Sequence, residues 1–115
     1  MKKIQNVKYK TRHLPSSITR GSIDEELEAR MEMGLVNFLY LYATKTKDHA
    51  SGVIRAAIGT RNLSMSFIPT DDIPLGVRKP VPGVLTYWDY DRKAWRSCRR
   101  DRIVTIGKSV VTEEL

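Results

Sequence analysis

Three runs of β-forming residues, separated by short turns, fall within residues 84–107, VLTYWDYDRKAWRSCRRDRIVTIG. Residues 84–90 read as a strand, Asp91, Arg92 and Lys93 as its turn, residues 94–99 as the returning strand and residues 102–106 as a third. Three short strands in so little chain make an antiparallel meander. The same stretch holds both tryptophans and the basic side chains Arg92, Lys93, Arg96, Arg99, Arg100 and Arg102.

Upstream, Ser22 marks the start of a helix. It stands as N-cap, Glu25 completes a capping box three residues on, and acidic groups occupy the first turn, where the helix dipole favours them. Gly34 closes the helix. Ile23, Leu27, Met31 and Met33 recur at helical spacing, which predicts a short amphipathic helix over one end of a sheet, with an acidic outer face that repels phosphate. Over residues 35–45, Val36, Phe38, Tyr40 and Tyr42 alternate with other residues, and their branched and aromatic side chains favour strand over helix. Residues 47–52 then form a turn and residues 53–60 the return strand.

Residues 63–83 hold four of the five prolines together with Asp71-Asp72, and show no period. They form a long Pro-rich loop, the kind of segment that serves as a lid or partner contact. After Gly107, Val110 and Val111 add a short final strand. The expected fold is mainly β: a small SH3-like or Sm-like antiparallel barrel of about five strands with one N-terminal amphipathic helix, closure removing exposed edges. That barrel domain spans residues 22–115. Residues 1–21 lack an apolar period and are expected to be a basic flexible arm, with one short extended piece near residues 4–9.

With 41% hydrophobic and 29% charged residues the chain is globular in composition, which excludes wholesale disorder. Its net charge of +7 favours an anionic partner, such as nucleic acid, a nucleotide or an acidic protein face. The charge is uneven: residues 1–21 carry six basic and no acidic side chains, whereas residues 22–33 carry five acidic and one basic. Cys98, the single cysteine, excludes an intramolecular disulfide and suits a reducing cytoplasm. No apolar h-region follows the charged start, and no apolar run approaches eighteen residues, so neither secretion by a standard signal nor membrane spanning is expected.

Arg55, Thr60 and Asn62, followed by Asp89, the Trp95-Arg96-Ser97 return, Ile103 and Val104, resemble the pattern of a family of small phage and Bacteroidetes proteins described as a WYL-like, Sm-like SH3 β-barrel. The likeness covers residues 35–107, with Trp-Arg-Ser its most distinctive part. Arg61 departs from it where an aliphatic residue is common, and Cys98 where an aromatic is, so packing there is expected to differ. The resemblance implies the barrel fold, a phage or mobile-element origin, and kinship with modules that bind nucleic acid or small ligands. It implies no catalytic activity and no cofactor.

Two polar clusters are candidates for binding. On the meander, Arg96, Arg99, Arg100 and Arg102 sit beside Trp95; guanidinium groups pair phosphates bidentately, and aromatic or guanidinium planes stack on bases. Lys8, Lys10 and Arg12 of the arm extend this basic set. The alternative is structural: Trp95 fills the core and the arginines pair with Asp89, Asp91 and Asp101. At the end of residues 53–60, Arg55, Thr60, Arg61 and Asn62 form a cluster suited to an anion or a base edge, unless Asn62 only shapes a turn. Enzyme signatures are missing. His13 and His49 have no nucleophile at a useful spacing, one Cys with two His makes no standard zinc site, no phosphate-binding glycine motif occurs, and adjacent Asp71 and Asp72 suit solvent better than acid–base work.

The expectation is a non-catalytic small barrel that binds nucleic acid, single-stranded or irregular RNA or DNA, located in the cytoplasm, that of a host cell if phage-encoded. Alternatives are a module that binds or sequesters a nucleotide through Arg55, Thr60, Arg61 and Asn62, with the Pro-rich loop as lid, and a virion or host-factor interaction protein working through that loop and homo-oligomerisation.

Overall fold

A computed structural model describes residues 7–14, 22–42, 52–71, 73–79 and 81–114. The turn expected at residues 47–51, with His49, lies outside the described residues, as do Asp72 and residues 1–6 and 15–21 of the expected arm. In chain order the elements are β1 (Lys8–His13), α1 (Ile23–Met33), β2 (Leu35–Leu41), β3 (Ile54–Thr60), the one-turn α2 (Leu75–Arg78), β4 (Val84–Asp89), β5 (Ala94–Arg99), a 3₁₀ turn (Arg100–Arg102) and β6 (Ile103–Glu114).

All six strands pair antiparallel in one sheet of order β1-β6-β2-β3-β4-β5. In a flat sheet β5 and β6 would lie four strand spacings apart, roughly 19 Å. Yet only the 3₁₀ turn joins them, and four Cα steps reach at most about 14 Å. The sheet therefore has to roll, and the result is a barrel.

Rolling separates an inner from an outer core. The inner one takes alternate residues of β2 to β6, Val36, Phe38 and Tyr40 of β2, Ala57 of β3, Leu85 and Tyr87 of β4, Cys98 of β5, and Ile103 and Val110 of β6, with Leu27 and Met31 of α1 closing one end. Met33, which the helical spacing placed with them, is 39% exposed. The outer core comprises Leu35, Trp88 and two residues of the loop after β3, Met65 and Ile68, with Ile58, Phe67, Tyr90, Trp95 and Val111 packed around them. Part of the Pro-rich stretch is thus wall and not lid. Ser66 ties it to β6, its amide donating to Glu113 Oε1 (2.7 Å) and its hydroxyl to Oε2 (2.6 Å).

Three expectations change. Residues 8–13 of the expected arm are the edge strand β1, in register with β6 from Lys8 opposite Glu114 to His13 opposite Ser109. All six side chains are exposed, which is why no apolar period betrays the strand. The expected final strands are one twelve-residue strand, β6, bent by register shifts against β2. Trp95 does not fill the inner core; it pairs with Trp88 on the outer face, only partly buried, while Trp88 beside it is 6% exposed. Gly34 does close α1, its N–H donating to Arg30 O at 3.2 Å, but its backbone is extended. Glycine is required there because a Cβ would lie 2.1 Å from the Val111 carbonyl oxygen of β6.

Candidate nucleic-acid interface

Three arginines are wedged between α1 and the barrel. Arg61, 8% exposed, gives its Nε to Glu32 (3.0 Å), its Nη1 to the Thr86 carbonyl and its Nη2 to the Val77 carbonyl (3.4 Å), with Glu28 at 3.8 Å. Arg100 holds Asp24 (3.1 Å), Glu28 (2.9 Å) and the Val84 carbonyl (3.2 Å). Arg30 reaches the Gly107 carbonyl at 2.8 Å and faces Glu26. The helix is capped by Ser22 with the Glu25 carboxylate 3.0 Å from its hydroxyl, and that same hydroxyl bonds Asp24. The Ser22 hydroxyl, then Arg100, hold the Asp24 carboxyl below its ordinary pKa despite partial burial. Asp24, Glu26, Glu28 and Glu32 are thus turned onto arginines, and the acidic face expected to repel phosphate is largely neutralised.

Most of the second polar cluster is consumed in the same way. Thr60 is fully buried, its hydroxyl donating to the Met31 carbonyl (3.0 Å) and accepting from the Asn62 amide (3.1 Å). The Arg61 amide donates to the same carbonyl (2.9 Å). Asn62 donates to the Met33 carbonyl (3.2 Å) and accepts from the Ser64 amide (3.0 Å), shaping a turn. Thr60, Arg61 and Asn62 satisfy the end of α1, whose last carbonyls have no partner within the helix. Arg55 lies elsewhere, inside the barrel against fully buried Asp89 at 2.5 Å. Burial works against its charge, but Asp89, Tyr42 and Tyr40 outweigh that and raise its pKa above the ordinary value.

The first cluster divides. Arg100 is structural, and Arg99 forms an exposed pair with Asp101 at 3.0 Å, a contact of little strength in water. Arg96 is exposed and faces the opposite way from Trp95, being opposite Tyr87 in register. Arg102 is partly buried. Lys8, Lys10 and Arg12 share one face of β1, but Arg12 pairs with Val110, seven residues along β6 from its junction with the hairpin, roughly 23 Å at strand rise. The two basic sets are therefore not one patch.

An aromatic band on the outer face was not foreseen. Trp95, Tyr90 and Phe67 lie partly exposed around Trp88, with Trp88 and Trp95 edge-to-face at 5.5 Å and Phe67 and Tyr90 at 5.1 Å. Lys93 stands over the Tyr90 ring, 4.2 Å from its centroid. On β1, Tyr9 is 56% exposed and stands opposite Glu113 in register, the carboxylate that Ser66 holds. On β5, Ser97 and Arg99 follow Trp95 on its face by strand alternation. Aromatic faces, an ammonium and a guanidinium along one side of a hairpin suit a chain of stacked bases and phosphates.

Such a rolled sheet with a capping helix has a counterpart among known families. A family model, WYL_2, of Sm-like SH3 β-barrel fold, matches residues 24–104. The chain belongs to the WYL_2 family. The match begins inside α1, so the helix is part of the family's pattern along with β2 to β5, whereas β1 and all but the first two residues of β6 lie outside it. Comparison with curated proteins finds no match, and neither does comparison with solved structures. Among the described residues of this WYL_2 member, no helix is long and apolar enough to cross a membrane.

Proposed function

We propose that this WYL_2 protein binds single-stranded nucleic acid without catalysing a reaction, in the cytoplasm of its cell or of a phage's host. The observation that carries the reading is the aromatic band, partly exposed on the outer face and flanked by Lys93 and Arg99. Stacking on aromatic rings is sequence-tolerant and contributes about 1–3 kcal/mol per base. The internal pairing of α1's carboxylates adds to it, because those acids no longer offset the remaining surface cations.

Affinity for a short single-stranded oligonucleotide, measured across salt concentrations, tests this. Each phosphate contact contributes about 0.7 to the log–log slope, so replacing Lys93 and Arg99, the two cations beside the band, with Gln should flatten it by roughly 1.4. Trp95→Ala should weaken binding about 5- to 100-fold with the slope unchanged. Arg100→Gln is the contrast: it should lower stability, taking the counter-charge from Asp24 and leaving Glu28 only the longer contact with Arg61, and leave the slope alone. Absence of binding to any oligonucleotide at low salt would end the proposal.

A further inference from the structure

Between β2 and β6 the pairing jumps from Val36 opposite Val110 to Phe38 opposite Ile106, so Asn37 alone faces Gly107, Lys108 and Ser109. Here β6 bows out, and the Arg30 guanidinium holds the Gly107 carbonyl from the helix side at 2.8 Å. Beside the bow is a cleft of about 190 Å³ lined by Asn37, Leu39, Ala56, Thr105 and Gly107 among others. These side chains belong to the outer face: Asn37 pairs in register with Ile58 of the outer core, and Leu39 with Ala56 and Thr105. The cleft therefore adjoins the aromatic band.

Its floor is apolar and its depth comes from small groups. Ala56 leaves room above β3, and a Cβ at Gly107 would crowd Asn37, 3.0 Å from its carbonyl oxygen and 3.3 Å from its Cβ. Asn37 and Thr105 supply polar groups at the rim, and both are exposed. No hydrogen bond from the Asn37 carboxamide to another described residue occurs, so its donor and acceptor are available together. Such a pairing of one donor with one acceptor is what an amide uses to read a base edge. Ligand sites for whole cofactors run to about 300–1,000 Å³, so this cleft suits a single flat ring. Exposed Lys108 follows Gly107 directly, placing a cation next to the cleft for the phosphate attached to that ring.

We infer that the cleft at the β2–β6 bulge is a nucleobase pocket, in which one base of a bound single strand is splayed out, laid over Leu39 and Ala56, and read by Asn37. The inference rests on the nucleic-acid reading above and adds to it a point of base selectivity. β-Bulges recur beside binding sites, and this one bows β6 away from Asn37, which keeps its register with Ile58.

Affinities of the intact protein for the four single-stranded homopolymers of equal length, in parent, Asn37→Ala and Ala56→Leu, decide it. In the parent, one base should be preferred by roughly 5- to 100-fold, the range of one two-point amide contact to a base. Asn37→Ala should collapse that preference while retaining binding and its salt dependence. Ala56→Leu should fill the cleft and weaken the preferred homopolymer most; thermal melting of both variants checks the fold, and Asn37, being exposed, serves if Ala56→Leu does not fold. Equal binding of all four by the parent, or a preference untouched by Asn37→Ala, would overturn the pocket while leaving the nucleic-acid reading in place. A parent that binds none of them at low salt would overturn both.

Discussion

Arg61 is the residue on which most separate elements converge. Its guanidinium touches α1 through Glu28 and Glu32, α2 through the Val77 carbonyl and β4 through the Thr86 carbonyl, at 8% exposure. Deleting it strands the buried Thr86 acceptor and takes the counter-charge from half-exposed Glu32, while Glu28 keeps Arg100, so Arg61→Ala should cost about 1–3 kcal/mol in urea unfolding. A Lys cannot span the same forked set, and Arg61→Lys should recover only part of that loss. An unchanged urea midpoint in Arg61→Ala would show the contacts to be dispensable. The departure from an aliphatic residue at this position was visible in the sequence, yet its meaning was not, because the carbonyls it satisfies belong to segments 16 and 25 residues away. The two tryptophans make a similar point. Trp88→Ala should cost about 3–5 kcal/mol as a core truncation, whereas Trp95, already partly in water, should cost roughly 1–2 kcal/mol. Alternation put them on one face; only packing of the loop over Trp88 decided which was core.

Among the elements, β1 differs most from its reading. It contributes six register pairs to β6 and almost no apolar burial, so its strength lies in backbone hydrogen bonds of about 0.5–1.5 kcal/mol each, offset by the entropy of fixing the segment. Removing residues 1–13 should therefore lower stability by on the order of 2 kcal/mol, with unfolding still cooperative because both cores remain. Urea titration of the truncated chain checks this, and a midpoint equal to that of the full chain would mean the strand adds nothing. A charged edge strand also guards the sheet, since Lys8, Lys10 and Arg12 discourage another edge from adding to it. α1 was legible from its cap and its Leu27–Met31 spacing, and Arg30, between them on the buried face, was a signal that helical periodicity alone could have caught.

At the scale of the whole molecule, the closed interior sets a pH limit. Burial pushes the Cys98 thiol up from 9.0 to about 12, with Arg100 opposing it, and burial likewise raises the Tyr87 phenol beyond its ordinary value. A raised folded-state pKa contributes stability that is whole below the unfolded value and is lost as pH climbs through the folded one. The urea midpoint should thus fall between about pH 9 and 12, and Cys98→Ala should remove part of that fall. In the native protein at pH 8, Cys98 should resist thiol reagents until denaturant is added; prompt labelling would contradict its burial.

The sequence by itself determined the helix, the positions of the meander and first hairpin and the barrel class, because caps, alternation and turn residues act over a few neighbours. It also carried the family, through residues spaced along those elements. Which arginine is exposed and which is half-buried was beyond it: Arg99 and Arg100 are adjacent and chemically identical, yet one pairs with Asp101 in water and the other is wedged against Asp24 and Glu28. The aromatic band and the bulge cleft likewise arise from strands brought together only when the sheet rolls. Tertiary structure decided these because pairing of charges and exposure of rings depend on residues that approach in space across many turns of chain, a distance at which local patterns carry no information.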